Sequence, residues 1–173
     1  MKKRFWNSDK FMSFFAILLS VGTLTVFIYQ TNLIRKQQYA GVFPYLELGF
    51  HKGGTANMEY VLSNVGVGPA LLEEIEIKEK GIRYEGRFSE YLLELTNRNP
   101  KDSVYFVYSD IAPGKMVPAG KSISLIATKD LYSARRIVEL IEENRVQLKL
   151  TYRSIYGEQW AIDADIGVPV KLD

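Results

Sequence analysis

Residues 11–29 read FMSFFAILLSVGTLTVFIY, nineteen residues without a charge, directly after Lys2, Lys3, Arg4 and Lys10. A bilayer hydrocarbon core of about 30 Å needs about 20 helical residues at about 1.5 Å rise each. The run is long enough to cross once. Two other readings compete with a membrane span. A cleaved signal peptide has an apolar run of about 7–15 residues and a small-residue cleavage site; this run is longer, and 30–36 (QTNLIRK) offer no A-x-A site. A buried helix of a soluble protein is the third reading. The length favours an uncleaved signal anchor.

Lys and Arg resist translocation, so their imbalance across a span sets its direction. Four basic side chains precede the run and two, Arg35 and Lys36, follow it. The expected arrangement is a cytoplasmic tail (1–10), a transmembrane helix (11–29), a helical linker (30–43) and an exported domain (44–173), which places the protein in the inner (cytoplasmic) membrane. Residues 30–40 contain no Gly or Pro and are rich in helix formers, and Pro44 should stop the helix by Phe43. Ala16 and Ser20 form a small-xxx-small pair that weakly favours a homo-oligomer through close helix packing.

Past the linker the charge balance reverses. Residues 41–173 hold 16 Lys and Arg against 19 Asp and Glu, a net of −3, so the +2 of the whole chain belongs to the flanks of the apolar run. A mildly acidic domain argues against nucleic acid as a partner, which calls for a basic surface. The chain has no cysteine, which excludes a disulfide scaffold, a thiol nucleophile and a Cys metal site.

From Pro44 the apolar pattern changes to period 2. Strand patterns lie at 45–50, 58–62, 72–78, 104–108, 122–127, 146–152 and 159–164, with glycine-rich turns at 53–54, 66–69 and 81. Ile75 and Ile77 alternate with Glu74, Glu76 and Lys78, as in a strand with one wet face. Two segments have helical period instead. Phe88, Tyr91, Leu92 and Leu95 share one face; Leu131, Ala134, Val138 and Ile141 share another, widened by Ile137 and Leu140, with Asp130 as cap. The predicted fold is mainly β: an Ig-like antiparallel β-sandwich with two short helical insertions, carried on one N-terminal transmembrane helix.

The most distinctive local sequence is Asn64-Val65-Gly66-Val67-Gly68-Pro69-Ala70. It lacks the third glycine of a dinucleotide-binding loop, and a strand pattern rather than a helix follows. Gly120-Lys121-Ser122 is the one Gly-Lys-Ser/Thr, but Lys115 stands where a phosphate loop has its first glycine and a strand pattern rather than a helix follows, so it is not a phosphate loop. The expected role is a strand-to-strand crossing: glycines that permit positive φ, Pro69 fixing one φ, and Asn64 bonding back to the local backbone. A ligand contact is the alternative. Near the C-terminus, 152–160 (YRSIYGEQW) reads as a hairpin turning at Gly157, with Tyr152, Ser154 and Tyr156 on one face and Tyr152 pairing with Trp160. Its functional alternative is a stacking surface for sugar or peptide.

Three patches carry a family resemblance: 30–46 with its QT, RKQQYA and PYL elements, the 64–70 turn, and 152–160. The chain resembles a broad group of uncharacterised bacterial single-pass membrane proteins. That resemblance implies a membrane-anchored β-sandwich-like domain and supplies no catalytic residue or cofactor.

The remaining candidates are weak. His51 is the single histidine and lacks a nucleophile elbow. Glu73, Glu74, Glu76, Glu142 and Glu143 read as solvated faces. Asp163 and Asp165 share a strand face without a Ca²⁺ loop around them. Arg135 and Arg136 read as a wet helix face, with Glu139 supporting Arg135. The expected function is a non-enzymatic interaction or assembly module of the bacterial envelope, without a cofactor, whose partners are the bilayer and another membrane or envelope protein. The alternatives are an envelope hydrolase using two carboxylates and an anchored, cytoplasm-facing component of a response or defence system.

Overall fold

The uncharged run lies within a single helix, α1 (Ser8–Ala40), of 33 residues. The computed structural model describes residues 8–98 and 103–172; the tail residues 1–7 fall outside them. At about 1.5 Å per residue α1 is about 50 Å long, enough to span a membrane. The last three residues assigned to the tail, and the linker up to Ala40, belong to this same helix. Its polar residues are accommodated internally. The hydroxyls of Ser13, Ser20, Thr23, Thr25 and Thr31 each donate to the carbonyl four residues back, at 2.8–2.9 Å. Such back-bonding satisfies a hydroxyl where lipid offers no partner.

The chain forms two units, 1–41 and 42–173. The second is mostly β and antiparallel. Its elements are β1 (Leu46–His51), β2 (Glu59–Asn64), β3 (Ala70–Glu79), β4 (Ile82–Tyr84), α2 (Phe88–Asn97), β5 (Val107–Tyr108), β6 (Met116–Val117), β7 (Ser122–Ala127), α3 (Leu131–Glu143), β8 (Val146–Arg153), β9 (Gln159–Asp163) and β10 (Val170–Leu172). One sheet has the order β1-β2-β7-β5. The other runs β10-β9-β8-β3-β4, with β6 also paired to β3. The β3–β4 hairpin turns at Lys80 and Gly81, both at positive φ (51° and 85°), the conformation a two-residue hairpin with right-handed strand twist requires.

A single apolar core draws on both sheets and both helices of this unit. It includes Leu62, Leu125 and Ile126 from the first sheet, Leu72, Ile77, Leu148 and Leu150 from the second, Tyr91, Leu92 and Leu95 from α2, and Ala134, Ile137 and Leu140 from α3. Each large aliphatic side chain so buried is worth roughly 1.5–3 kcal/mol. In α2 the buried face contains all four residues expected there. In α3 the face is rotated: Leu131 is exposed, and Ala134, Ile137 and Leu140 form its buried centre.

Three departures from the sequence reading have clear causes. The 104–108 strand shrinks to β5, because side chains take the backbone groups a strand partner would use: Tyr105 N donates to Ser133 Oγ (2.9 Å), and Thr128 Oγ1 donates to Tyr105 O (2.7 Å). Strands β4, β6 and β10 are two or three residues long, too short to show a period, and are recruited by sheet edges. Finally, β3 carries a bulge between Leu72 and Glu74. This leaves Glu73 outside the register, where it pairs with Arg153 (3.1 Å) and accepts from Gln159 Nε2 (2.6 Å).

Candidate functional site

The three sequence patches meet around one short segment, the first residues of the second unit. Asn64 ends β2 opposite Leu46, the first residue of β1. From there, 65–69 carry the chain to Ala70, which opens β3 in the other sheet. The segment is thus a crossing between sheets. Its backbone runs against 43–45: Val65 N donates to Tyr45 O (2.9 Å), Val67 N to Phe43 O (3.0 Å) and Gly68 N to Phe43 O (3.2 Å).

Asn64 is buried and its amide is saturated. Nδ2 donates to Gly68 O (2.8 Å) and Val117 O (2.9 Å). Oδ1 accepts from Gly66 N (3.1 Å) and Tyr45 N (3.3 Å). Its backbone N–H donates to Lys121 O, and its carbonyl accepts from Gly120 N. The side chain therefore ties together the start of the first strand, the crossing and β6, and the backbone of the same residue holds the loop after β6. Aspartate lacks the two donors, and leucine lacks both functions.

The glycines serve for a different reason from the one the sequence suggested. Neither Gly66 nor Gly68 has positive φ. What they supply is space. A Cβ on Gly66 would lie 2.5 Å from Phe43 O and 2.8 Å from Pro44 C, and one on Gly68 would collide with the Val42 carbonyl. Backbone, not a flexible side chain, blocks both positions. Pro69 is half-buried at the threshold of β3.

The 152–160 patch closes the other side of the segment. Tyr152 and Trp160 are register partners on β8 and β9, with stacked rings 5.8 Å apart. Trp160 meets the Phe43 ring edge-on at 5.2 Å, and Lys171 Nζ lies 5.8 Å over its ring. Tyr152 is fully buried, and its hydroxyl accepts from Leu46 N at 3.3 Å. Burial pushes the Tyr152 hydroxyl up to about 12, against the pull of that N–H. Tyr156 is not in this cluster. It is exposed on the hairpin tip, where its backbone N–H donates to Ser154 Oγ (3.1 Å). The structure thus gathers Asn64, Gly66, Gly68, Pro69, Tyr152 and Trp160 around 42–46 and leaves Tyr156 outside. Phe43, Val117 and Lys121 complete the arrangement and carried no signal of their own, because their part depends on carbonyls and rings brought together by the fold.

The chemistry of this cluster is that of a lock: neutral amides, saturated hydrogen bonds and no group that titrates near neutrality. Several carboxylates outside the cluster are paired. Glu74 binds Arg83, Glu79 binds Arg98, and Glu139 and Glu143 bind Arg136, which takes the role expected of Arg135. The hydrogen bond from Arg98 holds the Glu79 carboxyl below its usual range, and those from Ser133 do the same for Asp130. Asp163 Oδ1 accepts from Asp165 N, and Asp165 accepts from Gln147 Nε2. Among the described residues no group of three or more His, Asp or Glu is placed to hold a metal ion. A groove of about 890 Å³ lies between the end of α2, residues 104–107 and the loop 127–130. Leu93, Val104, Tyr105 and Val107 line it, and the one carboxylate among its described lining residues, Asp130, caps α3 by accepting from Ser133 N (2.8 Å).

Comparison of the chain with protein-family models, with curated proteins and with solved structures gives no match.

Proposed function

We propose that this protein is a membrane-anchored, non-enzymatic interaction or assembly module of the bacterial envelope. In this reading α1 is an uncleaved signal anchor of the inner membrane, the N-terminus is cytoplasmic, and the second unit is an exported Ig-like sandwich with α2 and α3 as its two helical insertions. The observation that carries it is the pairing of a helix that holds an uncharged run of spanning length with a β unit whose first residues are locked from three sides. Anchoring confines the search for a partner to the plane of the membrane.

Two further observations support a non-catalytic role. The most distinctive residues, Asn64, Gly66, Gly68, Tyr152 and Trp160, are committed to internal contacts. The carboxyl pKa values that shift, those of Glu79 and Asp130, shift downward, whereas a general acid at neutral pH needs a raised pKa.

The test has two parts. A C-terminal reporter active only outside the cytoplasm should be active, and a cytoplasm-only reporter should be silent; the reverse moves the domain to the cytoplasmic side and supports the response-system alternative. Crosslinking in native membranes should then recover a specific envelope or membrane protein. Repeated recovery of none removes the assembly role.

A further inference from the structure

A cavity of about 180 Å³ lies within the β unit, between the edge of one sheet and the inner face of the other. Leu48 and Phe50 of β1, Tyr60 of β2, Phe88 of α2, Ile141 of α3 and Leu148 of β8 wall it. The strand ends explain the gap. β1 runs on to His51 beside β2, whereas β9, which adjoins β1, stops at Asp163. The chain then turns back, with Ile166 N and Gly167 N both donating to Asp163 O, and Ala164 and Asp165 complete the lining. An apolar cavity of roughly 150 Å³ takes one benzene ring, so this one has room for a single ring or a branched aliphatic group.

Its polar side chains are Tyr60 and Asp165. Tyr60 is 7% exposed, and its hydroxyl makes no hydrogen bond among the described residues. The hydroxyl is not sealed in, however: the fully enclosed side-chain atoms without a partner are those of Tyr91 and Asp110. Burial first, then Asp165 and Asp163, push the Tyr60 hydroxyl up, so it stays a neutral phenol with a lone pair to offer. The charges felt there are both negative. His51, Arg87 and Arg145 are chain neighbours of lining residues, and Lys149 is the register partner of Asp163, yet the groups that shift the Tyr60 hydroxyl include none of them. Arg87 is turned to Asp110 (3.4 Å). The Asp165 carboxylate accepts from Gln147 Nε2 (2.6 Å), a neutral donor that leaves its charge in place. The Phe50 ring lies 4.6 Å from that of Tyr60, and the Phe88 ring 6.2 Å from it.

We infer that this cavity is a binding site for a small organic ammonium ion, its apolar body among Leu48, Ile141 and Leu148 and its charged head against Tyr60 and Asp165. The two carboxylates disfavour an anion, and a plain hydrocarbon leaves the Tyr60 hydroxyl without a partner. An ammonium group answers both. It donates to the phenol oxygen, is attracted by the Asp165 carboxylate and gains from the neighbouring aromatic rings. The cavity holds one ring beside that head, which sets the class of ligand as a free amine with a compact apolar body. The inference needs neither the membrane anchor nor the assembly role.

The test uses the full-length chain in maltoside micelles and three ring compounds of similar size, 4-fluorobenzylammonium, 4-fluorobenzyl alcohol and 4-fluorobenzoate, each followed by fluorine NMR. Uptake by the micelle itself is linear in concentration and is measured on protein-free micelles. The ammonium should bind saturably, with a dissociation constant on the order of 0.1–1 mM for so small a ligand. The alcohol should bind at least about fivefold more weakly, and the benzoate should show no saturable binding. Asp165→Asn, at an exposed position, and Tyr60→Phe should each weaken the ammonium by about threefold to tenfold. Asp165→Asn should leave the alcohol as it was. Ala164→Leu, which adds bulk to the lining, should abolish binding of both. Absence of saturable ammonium binding to the wild-type chain overturns the inference. Equal binding of the alcohol also overturns it and makes the cavity a plain apolar pocket. Ammonium binding that Asp165→Asn and Tyr60→Phe leave unchanged places the amine elsewhere and overturns it too. If Ala164→Leu does not fold, these two variants decide the matter alone. None of these outcomes bears on the reporter result that tests the anchor.

Discussion

The cluster around residues 42–46 and the helical flank of the β unit are held by opposite means. In the cluster, neutral groups make buried, saturated hydrogen bonds: the Asn64 amide has four partners and the Tyr152 hydroxyl reaches across to Leu46 N. Along the flank, partly exposed ion pairs do the visible joining: Arg98 with Glu79 and Glu94, Arg136 with Glu139 and Glu143. A buried polar group left without its partner costs about 1–3 kcal/mol, whereas an exposed ion pair is worth about 0–1 kcal/mol and is screened by salt. A dense cluster of charges on a surface is therefore a poor guide to where a fold is vulnerable. Removing one uncharged asparagine is expected to cost more than breaking any single one of these arginine pairs.

Substitutions can break this contrast in order of size. Gly68→Ala should be the most damaging, because its Cβ meets the Val42 backbone; overpacking of this kind costs about 3 kcal/mol or more, and loss of the cooperative urea transition is the expected readout. Asn64→Ala strands two carbonyls and two N–H groups, for an expected loss of about 3 kcal/mol, seen as a lower transition midpoint at unchanged slope. A near-neutral Asn64→Ala would mean that water reaches the crossing and the lock is not dry. Tyr152→Phe removes one long hydrogen bond, that from Leu46 N at 3.3 Å, and keeps the ring stacked on Trp160; about 1 kcal/mol is expected.

Glu79→Gln should be the mildest, at about 0.5 kcal/mol, and it alone should carry a pH signature. The hydrogen bond from Arg98 lowers the Glu79 pKa below its ordinary 4.5. A carboxyl lowered on folding stabilises the fold above its unfolded value, and that contribution is lost as pH falls through the folded value. Wild-type stability should therefore drop faster than that of Glu79→Gln below about pH 4.5. The Asn64 and Tyr152 variants should run parallel to wild type over the same range, because neither side chain changes charge there.

Much of this was legible in the chain. The face of α2 repeats at helical spacing because one side of it is buried, and Tyr152 and Trp160 pair because a hairpin turning at Gly157 leaves no other register. The 64–70 crossing was recognisable from its Asn, Gly and Pro. Its reason was not. Glycine spacing in a sequence looks the same whether it supplies left-handed backbone or empty space, and only the approach of 42–45 distinguishes them. Arg135 and Arg136 could not be ranked either, because adjacent helical residues point about 100° apart and the core determines which one shares a side with Glu139 and Glu143. The apolar groove beside 104–107 left no trace, since it is lined from three separate elements.

The sequence by itself determined the length of the apolar helix, the placement of the basic excess at its flanks and the alternation that makes the rest mostly β. These are local properties, set by runs and periods of neighbouring side chains. Tertiary structure alone decided that the 64–70 and 152–160 patches close on residues 42–46, and that Gly66 and Gly68 are there for room. Those facts depend on strand registers between residues as far apart as Leu71 and Arg153, and no local period encodes which strands will meet.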